Sequence, residues 1–191
     1  VGYYKTMHNP KTDWCFKTEP DESINGRSIN YPRGKTLGGS SSINGLLYIR
    51  GQSKDYDIWR QQGNTGWGWN DVLPYFIKSE NQERGADKFH GVGGPLSVSD
   101  IRIKLDILDE FQNAAEEMGI PKIKDFNTGD NFGCDYFQVT EKNGLRCSTA
   151  VAYLNPAKKR SNLKVEVKAH VNKINFEGKK AVGISYWKNG A

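Results

Sequence analysis

The stretch PRGKTLGGSSSINGLLYIRG, from Pro32 to Gly51, combines glycines, three consecutive serines and an apolar run. Glycine lacks Cβ, so its backbone can approach a ligand closely or adopt a positive φ. Serine hydroxyls and backbone N–H groups at the start of a helix can bind a phosphate or another anion. The stretch therefore fits a ligand-binding loop, although a turn that leads into a core helix explains the same residues equally well.

The composition of the 191-residue chain indicates a globular protein that is rich in loops or is part of a larger one. Charged residues at 26% and aromatic residues at 12% argue against disorder. Hydrophobic residues at only 36%, with 21 glycines, leave little apolar surface for an independent core of this size. Because the sequence opens at Val1 among residues of globular character, we expect it to be a piece of a longer protein.

Charge and the spacing of metal-binding side chains argue against several classes of function. The net charge is +5, but the positive residues are scattered, and the run Lys158–Arg160 fits a solvated helix end. The three cysteines and three histidines lack the spacing of a metal site or a disulfide framework. No apolar run approaches the roughly 18 residues of a membrane span. We therefore expect no nucleic-acid partner, no metal and no membrane span, and we favour a cytoplasmic location.

Turn and helix signals predict a mixed α and β architecture. Asn25–Gly26 predicts the turn of a hairpin. The helices are expected to start near Ile43, at Ser53 as a cap, at Asn70 as a cap, near residue 104 and at Ser148 as a cap. The helix over 104–119 carries an apolar stripe that we interpret as packing: Leu105, Leu108, Phe111, Ala115 and Met118.

The last 30 residues change to the period of a β-strand. Apolar and polar residues alternate from Leu163 to Val171, which predicts a half-buried strand. A turn at Glu177–Gly178 then returns the chain as a second strand.

Six segments occur in an order that resembles the glucose–methanol–choline (GMC) family of FAD-dependent oxidoreductases. They are YPRGKTLGGSSSINGLLYIRG, DYDIW, GWGWNDVLPYFIKSE, HGVGGPLSV, NGLRCSTAVAYLNPA and NLKVEVKAHVNKI. The resemblance runs from about His8 to Tyr186 and is greatest to choline-dehydrogenase and alcohol-dehydrogenase-like members. It implies an α/β fold formed by part of an FAD-binding Rossmann-like domain and part of a substrate domain.

This resemblance assigns the Pro32–Gly51 stretch to FAD. In family members this loop lies along the cofactor, from the pyrophosphate to the isoalloxazine ring. Arg33 and Lys35 would then supply positive charge near the pyrophosphate, and Ser40 a hydroxyl donor. The implied cofactor-binding residues are Arg33, Gly34, Lys35, Leu37, Gly38, Gly39, Ser40, Asn44, Gly45, Leu46, Leu47 and, on a later strand, Val171.

One departure from the family concerns attachment of the flavin. Some choline-oxidising relatives carry a histidine, covalently joined to the flavin, where this sequence has Ile43. The resemblance therefore implies non-covalent FAD.

The resemblance also implies a division into domains. Residues 1–92 would form the FAD domain with its lid and flavin loop, residues 93–140 part of the substrate domain, and residues 141–191 a return to the FAD domain. The dinucleotide fingerprint and the catalytic histidine are expected outside this sequence. No catalytic residue is therefore assigned within it, and these 191 residues alone are expected to be inactive.

The implied activity is oxidation of the CH–OH group of a primary alcohol with hydride transfer to flavin. Two alternatives stand beside it, a non-catalytic truncated flavoprotein module and a fatty-acid photodecarboxylase-type member of the same fold. The expected partner is a small-molecule alcohol. The electron acceptor, a homo-oligomer and association with further parts of the chain are left open.

Other conspicuous residues receive structural interpretations. His90 and His170 are expected to be surface histidines, and Cys147 a small packing residue. Tyr56, Asp57 and Trp59 are expected to brace the loop and not to contact substrate.

Overall fold

The computed structural model of the protein describes residues 2–188. Its α-helices are α1 (Ser53–Gln61), α2 (Trp69–Ser79), α3 (Asp106–Glu117) and the short α4 (Asn155–Ala157). Short 3₁₀ helices cover Gly2–Lys5, Glu22–Ile24 and Gly39–Ser42, and a π-helix covers Ala150–Leu154. The strands are β1 (Phe16–Lys17), β2 (Asn30–Tyr31), β3 (Leu47–Tyr48), β4 (Glu80–Gln82), β5 (Leu96–Val98), β6 (Gln138–Val139), β7 (Glu141–Lys142), β8 (Leu145–Arg146), β9 (Ala169–Glu177) and β10 (Lys180–Lys188).

Two compact units meet in the sequence between Asn155 and Pro156. Within residues 2–188, no helix combines the length and the apolar composition that crossing a membrane would require. The mixture of helices and strands agrees with the α and β architecture expected from the sequence.

The centre of the first unit is a set of short strand pairs that join distant parts of the sequence. Strands β4 and β5 are parallel, with Glu80 opposite Leu96. Strands β3 and β6 are antiparallel, and a bridge from Ser99 to Val139 connects β5 to β6. The smallest exposed fractions among the apolar side chains belong to Val98 and Ile43, at 1% and 3%. The core is therefore small and lies where these strands meet.

The predicted hairpin near the N-terminus is confirmed. Strands β1 and β2 pair antiparallel, and Asn25 and Gly26 have φ angles of 60° and 65°. The two residues end the 3₁₀ helix Glu22–Ile24 within the connection, and Asn and Gly adopt positive φ more readily than other residues.

The helix expected from about Ile43 is absent from that position. The helical turn lies earlier, at Gly39–Ser42, and Ile43 is its C-cap. Leu46 then adopts φ 71°, and Leu47 enters β3, where it pairs with Val139. Pairing with a strand about 90 residues away is a long-range contact that the local sequence does not reveal.

The predicted caps of α1 and α2 are wrong by one and two residues. Gln52, not Ser53, caps α1, and its N–H donates to Asp55 at 2.8 Å. Gly68, not Asn70, caps α2, and its N–H donates to Asp71 at 2.9 Å. In both helices a carboxylate in the first turn accepts from the backbone N–H group of the cap residue, which is one half of a capping box.

The third helix is of a different kind, and its cap is Thr149, one residue after the predicted Ser148. Ser148 Oγ accepts from Val151 N at 3.4 Å. The helix that follows has the wider π geometry over Ala150–Leu154 before the short α4.

The expectation that the apolar stripe of α3 is packed is wrong for the described residues. Ala115 is buried, but Phe111 and Met118 are 66% and 82% exposed, and Leu105 and Leu108 are also exposed. Most of this stripe is therefore exposed within residues 2–188, and Ala115 is its packed member.

In the second unit, β9 and β10 form a long antiparallel hairpin with Gly178 at its turn, as predicted. The strand begins at Ala169, six residues later than the alternation suggests. The half-buried prediction is wrong, because both faces of β9 are largely exposed within the unit. Val171, for example, is 52% exposed and lies opposite Tyr186.

Gly91 should be intolerant of any side chain. A Cβ at this position would collide with the carbonyl oxygen of Ile77. We expect Gly91→Ala to lower the free energy of unfolding by about 3 kcal/mol, because backbone must move to relieve the overlap. Urea unfolding of the full-length protein measures it.

Gly66→Ala is the matched control. Gly66 has φ 84°, and a Cβ there meets no atom within 4 Å. Only backbone strain of about 1 kcal/mol is expected. Equal losses in the two variants would contradict close packing at Gly91.

Candidate cofactor-binding site

The start of the Pro32–Gly51 loop is fixed by a buried carboxylate. Asp13 is 1% exposed and accepts from the backbone N–H groups of Cys15, Arg33 and His8 at 2.8–3.0 Å. These hydrogen bonds, from Cys15 first and then Arg33 and His8, hold the pKa of Asp13 below its usual value despite desolvation. Lys35 N also donates to Thr12 O at 2.8 Å, so the loop entry is paired with residues 12–14.

The loop then folds back on itself. A Cβ at Gly34 would collide with the carbonyl of Gly39, so this close approach requires glycine. Gly34 N donates to Ser40 Oγ at 3.2 Å. The Ser40 hydroxyl therefore accepts a hydrogen bond from the loop and keeps its own hydrogen for another partner.

Gly38 and Gly39 lead into the 3₁₀ turn with φ angles of 88° and 54°. The two differ in their surroundings, because a Cβ at Gly38 would collide with Ser42 Oγ, whereas a Cβ at Gly39 meets no atom within 4 Å. Gly39 is therefore not required by packing within the described residues. Its left-handed backbone faces open space that a ligand could fill.

The serines of the turn serve mainly to hold its backbone. Ser41 Oγ donates to Gly38 O at 2.5 Å and accepts from Thr149 N at 2.9 Å. Ser42 Oγ donates to Leu37 O at 2.8 Å. Thr149 Oγ1 also donates to Gly38 O at 3.2 Å. The glycines are thereby kept in one conformation.

Arg33 and Lys35 both rest on aromatic rings. The Arg33 guanidinium lies 3.8 Å from the centroid of Tyr31, and Lys35 Nζ lies 4.8 Å from that of Trp14. Both side chains are exposed and form no ion pair with a carboxylate of the described residues. Positive charge is thus available at the loop entry.

The exit of the turn is held by an arginine from a distant hairpin. Arg146 lies on β8, whose partner β7 is reached through the tight Asn143–Gly144 turn. Its Nη1 donates to Ser41 O at 2.9 Å and to Asn44 Oδ1 at 2.6 Å, and its Nη2 donates to Asn44 O at 2.7 Å. These carbonyls lie at the end of a helical turn, where no backbone donor is provided.

After the turn, Leu46 is one of the few non-glycine residues with positive φ. Its N–H donates to Asn44 Oδ1 at 3.1 Å, and its carbonyl accepts from Thr140 N at 2.8 Å. This strained conformation brings Leu47 into β3 with a side chain that is 55% exposed. Leu37, also exposed, and Gly45 complete the apolar part of the loop surface.

The loop ends at a buried ion network. Arg50, 3% exposed, pairs with fully buried Glu80 at 3.0 Å and also donates from Nη1 to Phe89 O at 2.7 Å. Arg50 N donates to Asn127 Oδ1 at 2.7 Å, and Tyr56 OH accepts from Gly51 N at 3.2 Å. The last bond agrees with the bracing role expected for Tyr56.

His90 extends this network, so the prediction of a surface histidine is wrong for it. The ring is 3% exposed, with Nδ1 2.9 Å from Glu80 Oε2 and Nε2 2.7 Å from Asp125 Oδ2. Burial alone would lower the pKa of His90, but the hydrogen bonds to Asp125 and Glu80 outweigh it and raise the pKa to about 9. Two cations therefore balance two carboxylates, which is the condition for burying such groups.

His170 and Cys147 agree with their interpretations. His170 is exposed on β9. Cys147 is 5% exposed and lies 3.8 Å from Pro95 O. Asp57 accepts from Trp69 N at 3.1 Å, and Trp59 packs on Tyr56, so these two residues brace the helices and not the loop that they were expected to brace.

The structure brings eleven of the twelve predicted cofactor residues together in one loop of the first unit, and it places Val171 in the second unit. Their contact with a cofactor stays a prediction. Sequence reasoning missed Asp13, Arg50, Glu80 and Arg146, which hold the loop at its entry, at its exit and at its turn. Arg50, Glu80 and Arg146 lie in the six resembling segments, so these three positions carried a signal, whereas Asp13 lies outside those segments.

The family model described as GMC oxidoreductase matches residues 12–191. The chain belongs to the GMC oxidoreductase family. Human choline dehydrogenase, a mitochondrial enzyme, is 40% identical over 178 residues, which are 93% of this chain and 30% of that protein. Alcohol dehydrogenase [acceptor] of Pseudomonas putida is 42% identical over 97% of this chain and 34% of its own length. The chain thus spans about a third of the curated relatives that it matches.

Solved structures of GMC enzymes share the fold. Pyridoxine 4-oxidase from Mesorbium loti superposes with a TM-score of 0.90 at 27% identity, over 98% of this chain and 37% of that one. An FAD-dependent oxidoreductase from Chaetomium thermophilum superposes with a TM-score of 0.84 at 29% identity, over 95% and 34%. The fold class expected from the sequence is therefore confirmed.

The buried imidazolium predicts a pH dependence of stability. The pKa of His90 is raised from 6.5 to about 9 by folding, so its contribution is complete below pH 6.5 and is lost as pH rises through about 9. We expect the free energy of unfolding of the full-length GMC protein to fall by on the order of 2 kcal/mol across this range, after allowance for solvent screening. His90→Gln should remove this slope.

The exposed His8 provides the control, since His8→Gln should keep the slope. Chemical unfolding at a series of pH values measures both. Asp125 gives the opposite trend in acid: burial raises its pKa, but hydrogen bonds from His90 and Asn127 N lower it overall, so its contribution is lost as pH falls. An unchanged slope in His90→Gln would contradict a buried charged histidine.

Proposed function

We propose that the loop Arg33–Leu47 binds FAD non-covalently and that the full-length protein is an FAD-dependent oxidoreductase acting on a primary alcohol. The proposal is supported by membership of the GMC family and by relatives named choline dehydrogenase and alcohol dehydrogenase [acceptor]. It is also supported by the exposed cations and constrained glycines of the loop.

The observation that carries the proposal is the contrast between Gly38 and Gly39. Packing explains Gly38, because any Cβ there would collide with Ser42 Oγ. No contact explains Gly39, which faces open space although its neighbours are held rigidly by serine and threonine hydroxyls. A rigid backbone with its exposed side free of Cβ suits the close approach of a dinucleotide.

The residues of the loop would have separate tasks. Arg33 and Lys35, which are cations at the loop entry, would face the pyrophosphate, and the hydroxyl of Ser40 would donate a hydrogen bond. Asn44 to Leu47 would line the flavin. Val171 would contact the adenine. Ile43, 3% exposed, offers no group that could bond covalently to the flavin.

When bound, FAD accepts a hydride from the alcohol carbon. The residues of the loop would bind and orient the cofactor, and no residue of this sequence is proposed as the base for the alcohol proton. The division into FAD domain at 1–92, substrate domain at 93–140 and FAD domain at 141–191 forms part of this proposal.

The variant Gly39→Val tests whether the loop Arg33–Leu47 binds FAD. We expect the flavin content of the purified full-length protein to fall by roughly tenfold or more, because the branched side chain fills the space reserved for the cofactor. The ratio of flavin absorbance to protein absorbance measures it. Gly66→Val is the matched control, since Gly66 also has positive φ and open surroundings. Normal flavin content in Gly39→Val would contradict the assignment of the loop.

Acid precipitation of the wild-type protein tests the mode of binding. The flavin bands should move to the supernatant, because no covalent bond retains FAD. A folded, colourless full-length protein would overturn the proposal and favour a non-catalytic module.

A further inference from the structure

Arg146 approaches the loop in a way that fixes the orientation of one amide. Its Nη1 lies 2.6 Å from the terminal Oδ1 of Asn44, and the N–H of Leu46 lies 3.1 Å from the same atom. Guanidinium and backbone N–H groups are donors only, so the atom that meets both must be the carbonyl oxygen. The orientation of the Asn44 amide is therefore determined by its partners.

This orientation leaves the other end of the amide as a donor. Asn44 is exposed, and its Nδ2 donates to no acceptor among residues 2–188. The amide is held at two points while its two N–H bonds remain available. A group held in this way loses little conformational entropy when it binds a ligand.

The charge of Arg146 is also uncompensated. Its donors meet only the carbonyls of Ser41 and Asn44 and the Asn44 amide, and no carboxylate of the described residues lies within ion-pair distance. Burial lowers the pKa of Arg146, but arginine stays a cation at neutral pH. Neutral oxygens orient this cation without cancelling its field.

We propose that Arg146 is a positioning residue for the flavin, which directs the Asn44 Nδ2 donor to an acceptor atom of the cofactor and places a positive charge beside it. This inference rests on the proposed binding of FAD to the loop. Reduced flavin is anionic at its pyrimidine edge, so a fixed donor and a nearby cation favour reduction. Arg146 itself acts by orienting Asn44 and through the electrostatic field of its own positive charge.

Three variants of the full-length holoenzyme separate the two contributions. Arg146→Met removes both the bidentate contact with Asn44 and the positive charge. It should weaken FAD binding by roughly tenfold to a hundredfold and move the flavin midpoint potential to more negative values. Arg146→Lys keeps the charge but cannot make the bidentate contact, so it should restore the potential more than the affinity. Asn44→Ala removes the donor but keeps the cation.

Coupling between the residues is the most specific expectation. If Arg146 acts through Asn44, the losses of FAD affinity in Arg146→Met and Asn44→Ala should not add in the double variant. Arg60→Met is the control, since Arg60 is an exposed arginine paired with Asp57, and it should leave affinity and potential unchanged. Fluorescence titration of apoprotein with FAD and equilibrium dye reduction give the two readouts.

The outcomes distinguish this inference from the proposed function. A wild-type protein that takes up no FAD would overturn both. Wild-type protein that binds FAD, with unchanged potential and affinity in Arg146→Met, would overturn the role of Arg146 alone. If Arg146→Met does not fold, Arg146→Lys and Asn44→Ala still test the proposal. Wild-type FAD affinity and wild-type flavin potential in both of these variants would contradict it.

Discussion

Burial of the Arg50 guanidinium is the constraint on which much of the first unit depends. A buried cation is tolerated only with a buried anion and a full set of acceptors. Glu80 supplies the anion, but its own burial requires further donors, which are His90 and Gly91 N. Because each of these groups lies on a different segment, their contacts bring together the end of the loop, strand β4 and the turn at 87–91.

This network explains why a loop rich in glycine has a defined shape. At the entry of the loop, Asp13 accepts hydrogen bonds from three backbone N–H groups. At its exit, Arg50 donates hydrogen bonds to Asn127 and Phe89. Between these points Arg146 holds the turn. The flexibility suggested by the composition is therefore removed by charged side chains at the two ends of the loop and by Arg146, and the remaining freedom of glycine serves close approach and not motion.

The sequence could predict what depends on neighbouring residues or on a specific motif. The Asn25–Gly26 turn, the positions of α1, α2 and α3, and the final hairpin follow from local signals. The helix near Ile43 and the surface position of His90 were wrong for a common reason. Leu47 pairs with β6, and His90 lies between Glu80 and Asp125, and such long-range contacts have no local signature. The apolar stripe of α3 was expected to be packed, but most of it, including Phe111 and Met118, is exposed within the described residues.

The candidate site shows the same division between motif and scaffold. The resemblance named residues on the loop, which lie at the surface and could face a cofactor. It named none of the four charged residues that hold the loop, because a buried charge looks like any surface charge in a sequence. The functional residues of this chain are therefore short-range features whose geometry is set by long-range ion pairs and hydrogen bonds. A substitution at Arg50 or Glu80 would change the geometry of the loop Arg33–Leu47 although neither residue belongs to it. An unpaired charge in the interior forces its surroundings to rearrange.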